Sequence, residues 1–251
     1  MRRLLIAPLL LLGCPATTVS RGGDGTSRPT QRVQANPSRV EDSAEAQSYR
    51  MALMHEISRE IADQRVFDAM ARVPRHLFVP GASLGRAYAD APAPIGYGQT
   101  ISQPTIVAIM TQALELGGHE RVLEVGTGSG YQAAILSLLA SEVYTIEIVK
   151  ELAEEARIRL PRLGYANVHV RAGDGYKGWP EQAPFDRILV TAAPDELPQA
   201  LIDQLADGGV LVAPVGSNDR WQRLLRYRKT GKRISSEDLG AVRFVPMVPG
   251  D

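Results

Sequence analysis

Residues 121–130 read RVLEVGTGSG, and no other stretch of the chain restricts its fold as much. An apolar run of strand length stops on three alternate glycines, Gly126, Gly128 and Gly130, and a helical segment follows from about 131 to 139. A strand that feeds a helix in this way returns to a parallel partner by a right-handed crossover. The chain supplies the partners. Residues 143–148 read as a second strand, with a helix over 150–163, and 168–171 as a third. A fourth spans 186–191, with a helix around 197–205, and a fifth spans 209–214. The expected fold is α/β and Rossmann-like, a mostly parallel sheet with helices on both faces. Residues 221–228 and 241–245 are expected to close one edge as an antiparallel pair.

Upstream, Met51, Met54, Ile57 and Ile61, then Val66, Met70 and Val73, recur at helical spacing. They predict two short N-terminal helices, the second ended by Pro74. Residues 88–104 are rich in proline and glycine and read as loop. Pro104 fits a first helical turn, with Ser102 or Gln103 as cap and the helix running through Leu116.

Residues 1–14, MRRLLIAPLLLLGC, place two arginines before an apolar run over 4–12. That run falls short of the ~20 residues that span a bilayer and fits the core of a secretory signal. LLGC also resembles a bacterial lipobox, which makes Cys14 a candidate for lipidation and membrane anchoring. Residues 15–43 carry few large apolar side chains and read as a disordered tether. The folded domain is expected over 44–251.

Lys and Arg number 28 and Asp and Glu number 28. A balanced charge argues against a nucleic-acid partner, which calls for a basic excess. The single cysteine excludes an internal disulfide framework and a cysteine-rich zinc site. His55, His76, His119 and His169 show no HxxxH spacing, so no metal is expected.

In a doubly wound sheet, ligands bind beyond the carboxyl ends of the strands, where the strand order reverses. The glycines sit at such an end and admit close approach of a ligand to the backbone. Their GxGxG spacing matches neither the GxGxxG dinucleotide fingerprint nor a P-loop. It is the form seen in S-adenosylmethionine-dependent methyltransferases. Gly126, Thr127, Gly128 and Gly130 are therefore candidate cofactor contacts. Glu147 ends the second strand 21 residues after Gly126 and can accept from ribose hydroxyls. Asp174, followed by Gly175, comes after the third strand and suits the amino edge of an adenine. The alternatives are a ligand-free turn for the glycines, a solvated charge for Glu147 and an Asp-Gly turn for Asp174.

Six segments carry a more specific resemblance: VPRHLFVP (73–80), PIGYGQTISQP (94–104), VLEVGTGSGYQAAIL (122–136), GDGYKGWP (173–180), APFDRILVTAAP (183–194) and AVRFVPM (241–247). Together they resemble the protein-L-isoaspartate (D-aspartate) O-methyltransferase family over about 51–248. The resemblance implies a Rossmann-like sheet with an unusual arrangement at its C-terminal end. It also implies methyl transfer from S-adenosylmethionine to the α-carboxyl of L-isoaspartyl residues in damaged proteins and peptides. The ester then recloses to a succinimide, which partly reopens as normal aspartate. The family's loop serine falls on Ser102, which the resemblance makes the catalytic residue. Gln99, Thr100 and Ile101 would form the substrate and cofactor loop beside it. A cytoplasmic monomer is expected on the same ground. Tyr97 departs from some relatives. Two other readings compete: a methyltransferase of another acceptor, and a cofactor-binding protein that has lost transfer. Residues 191–194 read TAAP where amino-methylating enzymes carry an NPPY-type motif, and the resemblance makes TAAP the better fit to carboxyl methylation.

Overall fold

Strand Arg121–Val125 (β3, after the two strands of a small hairpin) buries Val122, Leu123, Glu124 and Val125 alike. Burial on both faces is the signature of a parallel strand covered by helices front and back. The computed structural model of the chain, which describes residues 42–217 and 221–250, builds out from this strand. Glu142–Glu147 (β4) pairs with it on one side and Val168–Ala172 (β5) lies beyond. Phe185–Val190 (β6) pairs with its other side, followed by Leu205–Val215 (β7). These five strands are parallel. Gln222–Thr230 (β8) and Arg233–Val242 (β9) extend the sheet antiparallel, giving the order β5-β4-β3-β6-β7-β8-β9. From β3 the chain winds outward to β5, then returns to the opposite side at β6. The reversal point therefore lies at the carboxyl end of β3.

One face of the sheet buries Val122, Val143, Leu189, Val210 and Val212 under the helices that come before β5 in the chain. These are Ala44–Ile57 (α1), Gln64–Arg72 (α2), Leu84–Ala87 (α3), Pro104–Ala113 (α4), Tyr131–Ser137 (α5) and Lys150–Arg162 (α6). The other face packs Leu123, Val125, Ile188 and Leu211 against Leu201 of Gln199–Gln204 (α7) and against Met247. The Ser43 hydroxyl caps α1 by accepting from Ala46 N, and Asp63 caps α2 by accepting from Arg65 N.

Three expectations need correction. Residues 88–104 contain an antiparallel hairpin, Ala93–Gly96 (β1) with Gln99–Ile101 (β2). Its turn residues Tyr97 and Gly98 both have positive φ, 52° and 72°, as a two-residue turn that matches strand twist requires. Gln103, one of the two expected caps, is the N-cap residue of α4, but its side chain does not cap the helix. Asp90 does that work, accepting from Thr105 N at 2.8 Å, Thr105 Oγ1 at 2.7 Å and Gln103 Nε2 at 2.9 Å. Helix α4 also ends at Ala113, before Leu116. At the edge, β9 begins at Arg233, eight residues before the expected 241, and ends at Val242. Its run RISSEDLG is polar because the strand lies at an open edge, so alternation does not mark it. Residues 243–248 leave the sheet and cross its carboxyl end, tied by Ala193 N to Val245 O and Met247 N to Ala193 O, each 2.8 Å.

Candidate functional site

A cavity of about 330 Å³ opens at the carboxyl ends of β3, β4 and β6, at the reversal point. Its floor is the glycine loop after β3. Gly126, Gly128 and Gly130 have φ of 102°, 53° and 88°, a region in which other residues are strained. A Cβ on Gly126 would come 2.4 Å from Thr191 Oγ1, and one on Gly128 would come 3.2 Å from Ile95 Cδ1. Thr191 Oγ1 reaches Gly126 O at 2.7 Å and Val125 O at 3.0 Å, which stitches the loop to the end of β6. Gly126 N donates to Ile146 O at 2.8 Å and stitches it to β4. Gly130 lies outside the cavity lining; it opens α5 and packs against Leu160.

Glu147, at the end of β4, lines the cavity. Its Oε2 accepts from Gly128 N at 2.7 Å and its Oε1 from Val149 N at 3.0 Å. Each oxygen retains a lone pair for a ligand hydroxyl. Burial raises its pKa, and the backbone N–H groups of Val149 and Gly128 oppose that rise.

The hairpin forms the facing wall. Gln99, Thr100, Ile101 and Ser102 all line the cavity, as do Tyr131 and Gln132 at the start of α5. Residues 245–248 and Gly175 close the remaining side. A Cβ on Gly175 would lie 2.4 Å from Val125 Cγ1, so only glycine fits there. Asp174 does not line the cavity. Its carboxylate accepts from Tyr176 N at 2.9 Å and pairs with Lys177 Nζ at 3.4 Å, and Gly250 packs over its Cβ. Cys14 lies outside the described residues.

Sequence reasoning missed several residues. Glu124 is fully buried in β3, and Thr145 Oγ1 donates to its Oε2 at 2.5 Å. Thr127 Oγ1 joins this network at 2.6 Å from Thr145 Oγ1, so the glycine loop is braced from beneath. The acid inside the apolar run RVLEV was the available signal. Thr191 and residues 245–247 stood within resemblance segments, but nothing in their spacing placed them at the site, because their part in it comes from chain crossing. Among the described residues no cluster of His, Cys, Asp or Glu suits a metal ion.

Comparisons with known proteins agree with this geometry. Residues 48–251 match the family described as Protein-L-isoaspartate(D-aspartate) O-methyltransferase. The Protein-L-isoaspartate O-methyltransferase of Dictyoglomus thermophilum is 53% identical over 207 residues, covering 82% of this chain and 94% of the relative. That of a Synechococcus species is 52% identical over 222 residues, covering 86% and 91%. Among solved structures, a protein-L-isoaspartate O-methyltransferase superimposes with a TM-score of 0.73 at 29% identity, over 78% of this chain and 65% of that one. A Plasmodium falciparum structure, described as a putative protein-L-isoaspartate O-methyltransferase in complex with S-adenosyl-L-homocysteine, gives 0.69 at 27% identity, over 79% and 98%. With its glycine loop, terminal glutamate and serine-bearing hairpin around one cavity, the chain belongs to the protein-L-isoaspartate(D-aspartate) O-methyltransferase family.

Proposed function

We propose that this protein methylates the α-carboxyl of L-isoaspartyl residues in damaged proteins and peptides, with S-adenosylmethionine as donor, and so starts their repair. The observation that carries the reading is that a glycine cradle with Glu147 and a hairpin bearing Ser102 face each other across one cavity. The lining suits the donor: Gly126, Thr127, Gly128 and Gly175 border the cavity, and Glu147 borders it with spare acceptor capacity on both oxygens. Gly126, Thr127, Gly128 and Gly175 would hold it by close backbone approach, and Glu147 by accepting from ribose hydroxyls. Asp174 would accept from the adenine amino group; in that role Gly250 shifts away from its side chain. When bound, S-adenosylmethionine supplies a sulfonium methyl group, which a carboxylate oxygen takes as the carbon–sulfur bond breaks and its electron pair stays on sulfur.

The acceptor carboxyl has a reference pKa near ~4, so it is an ionised nucleophile at neutral pH and needs no general base. The chain's task is to place it. The Ser102 hydroxyl donates to the carboxylate, and Gln99, Thr100 and Ile101 shape the wall around it. Alignment of this kind corresponds to effective molarities of ~10⁵–10⁸ M. Exclusion of water by the hairpin and residues 245–248 strengthens the attraction between the two charges.

The domain proper is residues 44–251. A cytoplasmic location follows from the supply of the donor, which is made there; lipid label on Cys14 would contradict it. Among the described residues no helix is long and apolar enough to cross a membrane.

The division of labour is testable by calorimetry and steady-state kinetics. Glu147→Ala should raise the Kd for S-adenosylmethionine by about 10–100-fold, the worth of hydrogen bonds to a charged acceptor. Ser102→Ala should lower turnover of an isoaspartyl peptide about ten-fold and leave the donor's Kd nearly unchanged. Equal loss of donor binding in both variants would contradict these roles.

A further inference from the structure

Arg75 is the largest of the fully buried side chains, with 1% of its surface exposed. It lies in the short turn Arg75–Phe78, between α2 and the hairpin. A buried cation ordinarily has a carboxylate partner, because desolvating an isolated charge is costly. Arg75 has no ion pair among the described residues. Its Nε donates to Ala87 O at 2.9 Å and its Nη2 to Ser102 O at 2.9 Å and Ala91 O at 3.4 Å. Its Nη1 is buried without an acceptor. The Asp90 carboxylate is close enough to offset part of the charge, but it forms no ion pair with Arg75 and accepts instead from Gln103 and Thr105. The guanidinium carbon also stands 4.9 Å from the centre of the Tyr131 ring. Burial lowers the pKa of Arg75, but a guanidinium starts so high that it stays charged at neutral pH.

Ser102 and Tyr131 both line the cavity. The charge therefore sits one residue behind the wall, on the side of the hairpin rather than that of Glu147. A positive charge held in a poorly polarisable interior acts over several ångströms. A stitch between loop carbonyls alone could be made by a neutral donor, without the desolvation penalty.

We propose that Arg75 is a positioning residue for the acceptor carboxylate: it fixes the Ser102 backbone from behind and supplies a positive charge, without a salt-bridge partner, at the wall that Ser102 and Tyr131 form. The inference rests on the carboxylate reading given above. It assigns the preference for an anionic acceptor to a residue that does not touch it.

The test compares wild type, Arg75→Met, Arg75→Lys and a core control, Met70→Ala, in α2. Each is assayed for KM and kcat with an isoaspartyl peptide, and for the S-adenosylmethionine Kd by calorimetry. Inhibition by the same peptide bearing an α-carboxamide measures the preference for the charged form. Arg75→Met should raise the peptide KM at least about ten-fold and bring the acid-over-amide preference close to one, with the donor's Kd within about two-fold of wild type. Arg75→Lys, which keeps the charge, should restore the preference and only part of the KM. Met70→Ala should lose stability with KM and preference unchanged. The inference is overturned if Arg75→Met keeps the wild-type preference, or if Arg75→Met and Met70→Ala raise KM alike. Should Arg75→Met fail to fold, Arg75→Lys decides: a KM raised a few-fold with the preference intact supports the inference, and a wild-type KM overturns it. A wild-type protein that does not methylate the isoaspartyl peptide removes the carboxylate reading, and the inference with it.

Discussion

Glu124 stands in the middle of β3 with no solvent contact and with Oε1 unpartnered. Burial, reinforced by the nearby Glu147 and opposed by the Thr145 hydrogen bond, pushes its pKa up to about 8. The folded chain therefore holds a proton there at neutral pH, while in the unfolded chain the carboxyl ionises near ~4. Between those values the folded state binds the extra proton, so this group's contribution to stability is lost as pH rises from ~4 through about 8. Glu124→Gln keeps the shape and removes the titration. Urea unfolding at about pH 5.5 and about pH 8.5 should show the variant gaining on wild type at the higher pH; a stability difference that does not move with pH would contradict the buried neutral acid. At this scale the sequence was informative where backbone conformation selects the residue. The alternate glycines and Glu147 could be read because a turn after a strand demands the first and a strand end exposes the second. Glu124 left only one hint, an acid inside an apolar run, and Arg75 left none, because their roles depend on what surrounds them in three dimensions. Asp174 is intermediate: its spacing fits the site, and its carboxylate, bonded to Tyr176 N and paired with Lys177, lies outside the cavity lining.

The hairpin β1–β2 and helix α4 act as one element through Asp90. Its carboxylate satisfies the start of α4 and so fixes the chain just after Ser102. Asp90→Ala should reduce unfolding free energy by about 1–2 kcal/mol, the usual worth of a helix cap, and raise the isoaspartyl-peptide KM more than the donor's Kd. Denaturant unfolding with parallel kinetics checks both. An unchanged KM would mean that the hairpin holds its place without the cap. The element scale explains which parts of the fold could be read. Strands β3, β4, β6 and β7 are buried on both faces over most of their length, and their apolar runs stand out. The hairpin has strands of four and three residues, with Pro94 in the first, too short for a periodic signal. Strand β9 is an edge whose side chains are mostly exposed, and it reads as a polar loop.

Over the whole molecule, the site exists because the strand order reverses at β3 and because the chain beyond β9 returns across the carboxyl ends of the strands. The parallel order was legible in the alternation of strands and helices. The return was not, since 243–248 has no periodicity to announce it. Residues 42–217 and 221–250 contain both faces of the core and every residue placed around the cavity. A fragment spanning 44–251 should therefore unfold cooperatively and keep the full-length Kd for S-adenosylmethionine; loss of donor binding would assign residues 1–43 a part in the site. The central claim is that the cavity joins this donor to an isoaspartyl carboxylate. It is met most directly by incubating the full chain with methyl-labelled S-adenosylmethionine and two peptides that differ only in carrying L-isoaspartate or normal aspartate. The account predicts base-labile label on the isoaspartyl peptide alone; label on neither peptide with donor still bound, or equal label on both, would contradict it.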